Sequence, residues 1–277
     1  MADANDKPAQ QEMGDLIEPS FGPHSSLLVK QTMRGCIQEC FGCEAKSEFK
    51  IATLDPTQVN GYMLSDAALA APDIMYAIEE SSFCMRLCCR DGRSFDMWVS
   101  QGGEPGGQRI VKYSKPLGFP LQFQMGDTTC PCCCLLPKLE AQTPSGAPIG
   151  NESKYICDIN VYVPKLMYSE GGQPVYIIKP QTCCGGCCIK PSCGGKGCLF
   201  VPFFFHDPTT GKAIGDYADD APQIRKVWAG FKKECCSTAD TFTLQFPPGI
   251  DAKRKAGLLG MTFLIDFTVF EKQNEKN

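Results

Sequence analysis

Close to its C-terminus, the sequence contains a run that is apolar on every side. From Ala256 to Phe270 the only polar side chains are Thr262, Thr268 and one carboxylate, Asp266. A helix without a polar face must be buried, either in protein or in lipid. The fifteen residues of this run would form a helix about 22 Å long, whereas a bilayer core needs about twenty apolar residues. A carboxylate inside a bilayer also costs about 3 kcal/mol. A helix buried in a protein core is therefore favoured, and a single membrane pass is the alternative.

The residues before this run show where the helix should begin. Residues 241–246 alternate like a strand and are stopped by two prolines. Asp251 then has the short acceptor side chain typical of a helix N-cap, so we predict a helix over about 252–270. The three cations of its first turn are Lys253, Arg254 and Lys255. Because the helix macrodipole disfavours cations at this terminus, we interpret them as candidates for contact with anionic lipid headgroups.

Most of the remaining chain consists of short strand-like segments. Several alternate between apolar and polar residues, and turn signals containing glycine separate them. The predicted strands are 48–53, 74–79, 95–100, 109–113, 135–142, 155–163, 175–179, 198–205, 213–217, 223–228 and 241–246. A short helix is predicted over 25–38 and a helical turn within 59–72. Such a pattern favours an antiparallel sheet, sandwich or barrel. A closed barrel would give the apolar helix a place to be buried.

Composition limits the domain organisation and the partners. The 277 residues carry a net charge of −4, so there is no overall basic surface for nucleic acid. We expect a short disordered tail over 1–23, a single domain over 24–271 and a polar tail over 272–277. The first residues lack the apolar segment of a signal peptide. This predicts a reducing environment, in which disulfides are disfavoured.

Nineteen cysteines are far more than a typical chain contains. The first cluster consists of Cys130, Cys132, Cys133 and Cys134. The second consists of Cys183, Cys184, Cys187 and Cys188, followed by Cys193 and Cys198. Adjacent cysteines rarely reach disulfide geometry, so lipidation, metal binding and free thiols remain as explanations. The C-x-x-C spacing of the second cluster would suit zinc.

Three C-terminal motifs resemble the phospholipid scramblase family. They are QFP at 245–247, a K-x-K pair at 253–255 and FLIDF at 263–267. The first cysteine cluster and the P-x-G-x-P-I-G segment at 144–150 resemble the family's palmitoylated region. The resemblance implies a Tubby-like fold, which is a mainly β, closed antiparallel barrel of about twelve strands around a central hydrophobic C-terminal helix. The residues it assigns to that central or membrane helix are Leu258, Leu259, Phe263, Leu264, Ile265, Asp266 and Phe267.

The resemblance also implies lipid anchors and a calcium site. Palmitoylation is expected at the first cysteine cluster, with the second cluster as a further candidate for acyl chains or zinc. The family's proposed calcium loop corresponds to 238–249, where the candidate ligands are Thr238, Asp240, Thr241 and Gln245. Calcium usually needs several carboxylates, and Asp240 is the single one in this segment. Since 240–246 also alternates like a strand, we expect weak calcium binding at most.

Two functions follow from the resemblance. The first is a palmitoylated phospholipid scramblase on the cytoplasmic face of the cell membrane, which moves phospholipids in both directions in response to calcium. No ATP-binding motif is present, so movement would be ATP-independent, and a conduit for headgroups would need a homo-oligomer or a distorted bilayer. The alternative is a non-transporting, lipid-tethered adaptor that binds phosphoinositides. The chain has no residue pattern that indicates an enzyme.

Overall fold

A computed structural model describes residues 16–32, 46–60, 63–89, 92–118, 122–125, 128–131, 135–156, 163–183, 188–189, 202–227 and 240–270. The strands are, in chain order, β1 Ser26–Gln31, β2 Glu48–Thr53, β3 Val59–Asn60, β4 Met63–Leu64, β5 Asp73–Glu80, β6 Phe95–Gln101, β7 Arg109–Lys115, β8 Gln122–Met125, β9 Thr128–Pro131, β10 Lys138–Gln142, β11 Pro148–Tyr155, β12 Leu166–Glu170, β13 Gln173–Pro180, β14 Thr182–Cys183, β15 Cys188–Ile189, β16 Pro202–His206, β17 Gln223–Lys226 and β18 Thr241–Gln245. Residues 16–21 are helical. Short helices span Asp66–Leu69 and Phe83–Cys89, and a 3-10 turn spans Pro56–Gln58.

Twelve of these strands form a closed barrel in the order β1-β18-β17-β16-β13-β12-β11-β10-β7-β6-β5-β2. Every neighbouring pair is antiparallel, and β1 closes the barrel by pairing with both β18 and β2. The other strands form three separate hairpins, β3-β4, β8-β9 and β14-β15. The predicted mainly β, closed antiparallel barrel of about twelve strands is therefore confirmed.

The barrel encloses the C-terminal helix, which we call the central helix. It runs over Ala252–Ile265 and continues as a π-helical turn over Asp266–Phe270. Asp251 caps it, since its Oδ1 accepts a hydrogen bond of 2.8 Å from the backbone N–H of Arg254. Phe263 packs against the rings of Phe49 and Tyr113, with centroids 5.0 and 5.7 Å away. The apolar run is thus the core of the barrel, because the inward-facing side chains of the strands surround it.

The two ends of the barrel are distinguished by this helix. Successive barrel strands alternate in direction, so the connections between them alternate between the ends. The helix-start end carries the connections 54–72, 102–108, 143–147, 171–172, 207–222 and 246–251. The helix-finish end carries the connections 32–47, 81–94, 116–137, 156–165, 181–201 and 227–240.

Two glycines bring the central helix close to the barrel wall. A Cβ on Gly257 would lie 2.7 Å from Cε2 of Tyr168, and a Cβ on Gly260 would lie 2.8 Å from Cδ1 of Tyr113. Real Cβ atoms do not approach carbon this closely, so both positions need glycine for the tyrosine rings to fit. The same tyrosine, Tyr113, donates a hydrogen bond of 2.5 Å to the carbonyl of Ala256.

Two local predictions are wrong, and a third lies largely outside the described residues. The predicted helix over 25–38 is the strand Ser26–Gln31, with 33–38 outside the described residues. Its Leu-Leu-Val run suits a helix or a strand, and pairing with two neighbours decides for the strand. The predicted strand 213–217 is a turn, because Gly215, Asp216 and Tyr217 all have positive φ. Of the strand predicted over 155–163, Tyr155 is the last residue of β11, and 157–162 lie outside the described residues.

Candidate functional site

The three cations proposed for headgroup contact have different environments. Lys253 is exposed, Arg254 is half-buried and Lys255 is buried. The Lys255 ammonium donates two hydrogen bonds of 2.7 Å, to the carbonyls of Gly22 and His24. It thereby fastens the chain entering β1 to the first turn of the central helix. This accounts for a cation at a helix N-terminus by a structural contact.

Arg254 forms a two-pronged pair with a carboxylate on the barrel wall. Its Nε and Nη2 lie 2.8 and 2.7 Å from the two carboxylate oxygens of Glu170. The hydrogen bond from this guanidinium is the main reason that the pKa of Glu170 lies below its usual range. Tyr168 donates to the same carboxylate at 2.9 Å, and burial raises the pKa of Tyr168. Bidentate pairs of this kind fix orientation as well as charge.

The start of the helix is also held by Asn151, whose side-chain amide donates a hydrogen bond of 2.9 Å to the carbonyl of Lys253. Asn151, Tyr168, Glu170 and Tyr113 were not identified from the sequence. The partners of Asn151, Glu170 and Tyr113 on the central helix lie 84 to 143 residues away along the chain, where no local pattern could connect them. Lys253 is therefore the predicted cation that remains free to meet a ligand in solvent.

The candidate calcium ligands lie on or beside a buried strand. The predicted strand over 241–246 is confirmed as β18, which contains Thr241 and Gln245. The Asp240 carboxylate forms an ion pair of 2.6 Å with Lys226, and the Gln245 side-chain oxygen accepts from Gln223 at 3.0 Å. Thr238 lies outside the described residues. Within the described part of the chain, no group of three or more His, Cys, Asp or Glu side chains is arranged to hold a metal.

The seven residues assigned to the central or membrane helix are all buried within the barrel: Leu258, Leu259, Phe263, Leu264, Ile265, Asp266 and Phe267. Asp266 is 5% exposed and lies where the α-helix passes into the π-helical turn. Across the described ranges, none of the helices has both the length and the apolarity required to cross a bilayer.

A buried ion pair was missed at the helix-finish end. Arg93 and Glu79 are 1% and 0% exposed, and Nε of Arg93 lies 2.8 Å from the Glu79 carboxylate. Glu79 also accepts hydrogen bonds from the backbone N–H of Ser47 and the hydroxyl of Ser81. Lys115, itself 1% exposed, donates to the carbonyl of Arg93 at 2.8 Å. These contacts join two connections of this end, 32–47 and 81–94, to the last residue of β7, and a strand pattern gives no signal for them.

The predicted cysteine clusters lie largely outside the described residues. Cys132, Cys133, Cys134, Cys184 and Cys187 are outside them, as are Cys193 and Cys198. The backbone of Cys130 belongs to β9 and that of Cys188 to β15. Cys183 is half-buried, with its Sγ 4.0 Å from the carbonyl oxygen of Ile189. Cys84 and Cys88, on the helix Phe83–Cys89, are exposed free thiols.

The cysteines are distributed unevenly among the segments of the sequence that connect the barrel strands. By sequence position, all nineteen fall within the six connections of the helix-finish end, and the helix-start connections contain none. The cations of the helix start, Lys253 to Lys255, belong to the opposite end. Among the described residues, Cys130, Cys183 and Cys188 therefore belong to connections at the opposite end from Lys253, and a helix over 252–270 would span about 28 Å between the two ends.

Comparison with known proteins gives a consistent result. The family model described as Scramblase matches residues 43–192 and 216–272. Human phospholipid scramblase 1 is 30% identical over 200 residues, which is 72% of this chain and 53% of that protein. Human phospholipid scramblase 2 is 29% identical over 201 residues, covering 72% of this chain and 57% of the relative. The chain thus spans a little over half the length of these relatives. No solved structure matches the chain.

Proposed function

The chain belongs to the scramblase family, and on that premise we propose that it is a membrane-associated protein that moves phospholipids between leaflets. The proposed movement is bidirectional, independent of ATP and responsive to calcium. The observation that carries the proposal is the family match, which covers most of the barrel and the central helix. Two of the similar proteins are themselves named phospholipid scramblases. The protein would act as a transporter and not as an enzyme.

The proposed attachment is through palmitoyl chains on the cytoplasmic face of the cell membrane. Cys130, Cys132, Cys133 and Cys134 are the first candidates, and the cluster from Cys183 to Cys188 is the second. Two or more acyl chains convert marginal membrane contact into stable anchoring. Cys84 and Cys88 are exposed, which supports the accessibility of thiols at the helix-finish end of the barrel.

The packed interior limits how lipids would move. The central helix fills the barrel with buried side chains such as Leu259, Met261 and Phe263, so a headgroup path through the barrel is not favoured. We propose instead that lipid movement takes place where the outer surface of the barrel perturbs the bilayer, alone or as a homo-oligomer. Phospholipids are then the substrates, and the central helix acts as the rigid core that holds the surface in shape.

The proposed calcium response rests on Asp240 with Thr238, Thr241 and Gln245. Calcium prefers six to eight oxygen ligands, and Lys226 already neutralises Asp240 at 2.6 Å. An ion would have to displace this lysine, so we propose weak affinity. A zinc site within Cys183–Cys198 is a further proposal, since thiolates at C-x-x-C spacing are suited to that metal.

One observation favours a second candidate function. The Lys226–Asp240 pair leaves little free carboxylate for calcium, as expected if the protein does not transport lipids on a calcium signal. In that case the chain would be a lipid-tethered adaptor that binds phosphoinositide headgroups. Lys253, exposed at the helix-start end, would be the cation most accessible to such a ligand.

A reconstitution experiment separates the two functions. The full chain, purified from cells in mild detergent, is placed in vesicles containing a fluorescent headgroup-labelled lipid, without ATP. Chemical reduction of outer-leaflet label then reports how much lipid crosses. We expect label loss beyond half when calcium is added, and a higher calcium requirement for Asp240→Asn. Label loss that stops at half at every calcium concentration, despite confirmed incorporation, would contradict scrambling and favour the adaptor.

A further inference from the structure

Exposed apolar side chains are concentrated at the helix-finish end. Within the described residues, four large apolar side chains are exposed: Phe83 at 51%, Leu117 at 44%, Leu135 at 49% and Tyr217 at 36%. The first three lie in the connections 81–94 and 116–137 of the helix-finish end. Tyr217 lies at the opposite end, and its hydroxyl is 3.0 Å from Nε2 of His206. The purely apolar exposed side chains are thus at the end that carries the cysteines.

Backbone contacts join the segments that carry these side chains. The backbone N–H of Gly118 donates a hydrogen bond of 3.0 Å to the carbonyl of Gly92, which links the two connections. Gly118 also packs against the segment after Leu135, since a Cβ there would lie 3.0 Å from Cα of Pro137 and 3.2 Å from the Leu135 carbonyl oxygen. Leu117 and Leu135 therefore belong to adjoining stretches of one edge.

This edge rests on the buried pair described above. Arg93 belongs to the connection 81–94 and pairs with Glu79 of β5, and Lys115, the last residue of β7, donates to the carbonyl of Arg93 at 2.8 Å. Arg93 also lies over the ring of Phe267, at 5.1 Å, at the end of the central helix. Because buried charged pairs fix geometry more than they add stability, this arrangement is suited to holding an exposed apolar edge in place.

We propose that Phe83, Leu117 and Leu135 form an edge that inserts into the apolar boundary of a phospholipid bilayer. The inference rests on the proposed membrane function and specifies which end of the barrel meets the lipid. A bilayer is the favoured occupant because the connections of this end hold the cysteines of the sequence, of which the described Cys84 and Cys88 are exposed. Acyl chains attached to thiols of these connections would enter the same lipid surface. Cys84 and Cys88 lie on the same short helix as Phe83 and are exposed.

The geometry also predicts the orientation of the barrel. With the helix-finish end in the bilayer, the helix-start end and its exposed Lys253 face away from the membrane. If the protein instead bound the membrane through the cations at the start of the central helix, the helix-start end would face the bilayer. The two orientations give opposite results for probes placed at the two ends.

Tryptophan probes test the orientation directly. Leu117→Trp, Leu135→Trp and the matched control Tyr217→Trp are purified as full chains and reconstituted with phosphatidylcholine brominated in its acyl chains. The parent chain, with its own two tryptophans, sets the baseline. We expect quenching above that baseline for the first two variants and none for Tyr217→Trp. Excess quenching for Tyr217→Trp, for all three alike, or for none would overturn the proposal.

Charged substitutions provide a second readout that does not depend on lipid transport. Leu117→Asp with Leu135→Asp should reduce flotation with phosphatidylcholine–phosphatidylserine vesicles severalfold after thioesters are removed with hydroxylamine, and Tyr217→Asp should not. Circular dichroism checks that each variant is folded. Equal flotation of all the proteins would contradict the proposal that this edge inserts into the bilayer. If the probes insert as expected while no lipid crosses the bilayer, the edge is supported and scrambling fails; lipid crossing without insertion gives the reverse.

Discussion

Lys253 and Lys255 are two residues apart in the sequence and have different roles in the structure. Lys253 faces solvent, whereas Lys255 is buried and satisfies two carbonyls of the segment that precedes β1. A cation at the positive end of a helix is unfavourable by itself. Two charge-assisted hydrogen bonds offset that cost, so the residue type at 255 is explained by the chain it fastens and not by a ligand.

Removing Lys255 should therefore destabilise the fold. Lys255→Ala leaves the Gly22 and His24 carbonyls without their donor, at an expected cost of about 2–3 kcal/mol. Lys253→Ala is the matched control and should change stability by less than about 0.5 kcal/mol. Urea unfolding followed by circular dichroism measures both. Equal stability of the two variants would show that Lys255 is not the fastening residue.

Because of Glu170, the free energy of unfolding should decrease as the pH falls into the acid range. Its pKa is lowered chiefly by the hydrogen bond from Arg254, so near the lowered value the folded state binds fewer protons than the unfolded chain. The stabilisation is present above the ordinary glutamate pKa of about 4.3 and is lost as pH falls through the lowered one. Glu170→Gln should be less stable than the parent at neutral pH, with a difference that shrinks towards about pH 3. Unfolding at several pH values measures this.

The reciprocal variant checks the assignment. Arg254→Gln removes the same ion pair by changing its other member. It should likewise make the free energy of unfolding depend less on pH. The double variant should then show little further change, because residues in one pair are not additive. Parallel stability curves for the parent and Glu170→Gln would contradict the role of this carboxylate.

At the scale of elements, the central helix depends on its two glycines as much as on its apolar side chains. Gly260 faces the Tyr113 ring, which is fully buried and held through its hydroxyl by Ala256. The ring cannot move away without losing that hydrogen bond. The helix therefore fits the barrel at one depth and one rotation.

Gly260→Ala should destabilise the barrel by about 1–2 kcal/mol. Overpacking in a core costs about 1–3 kcal/mol, and the better helix propensity of alanine returns up to about 1 kcal/mol. In a Tyr113→Leu background the same change should cost clearly less, since the two nearest atoms that the new Cβ would meet belong to that ring and the Leu139 contact at 3.0 Å remains. Thermal unfolding of the four proteins gives the comparison. The same loss in both backgrounds would exclude the contact with Tyr113 as the cause.

Sequence reasoning succeeded where the signal was local. The N-cap Asp251, the apolar run after it and the alternation of β18 are all visible in short windows, and the structure contains each element. β1 was taken for a helix because its apolar residues fit either period, and only its two strand partners decide. The partners of Arg254 and Lys255 lie 84 and more than 200 residues away, so no window could have revealed them.

At the scale of the whole molecule, the alternation of the barrel strands separates two chemistries. The connections of the helix-finish end carry every cysteine of the chain, and those of the helix-start end carry none. Neither cluster alone predicts this, because the separation appears only when the strand order is known. It leads to an account in which the apolar helix is the core of the barrel and lipid contact is made through the opposite end from Lys253.

Extraction of the full chain from cell membranes at alkaline pH distinguishes a central helix buried in the barrel from one that spans the bilayer. Hydroxylamine first cleaves every thioester, and an acyl-exchange label confirms that cleavage is complete. A parallel sample of Cys130/Cys132/Cys133/Cys134→Ser shows how much of the label belongs to the first cluster. The account predicts that the chain stays with the membrane before hydroxylamine treatment and is released by the alkaline wash after it. A chain that resists the wash with no thioester left would contradict the account, because the central helix would then be in the bilayer.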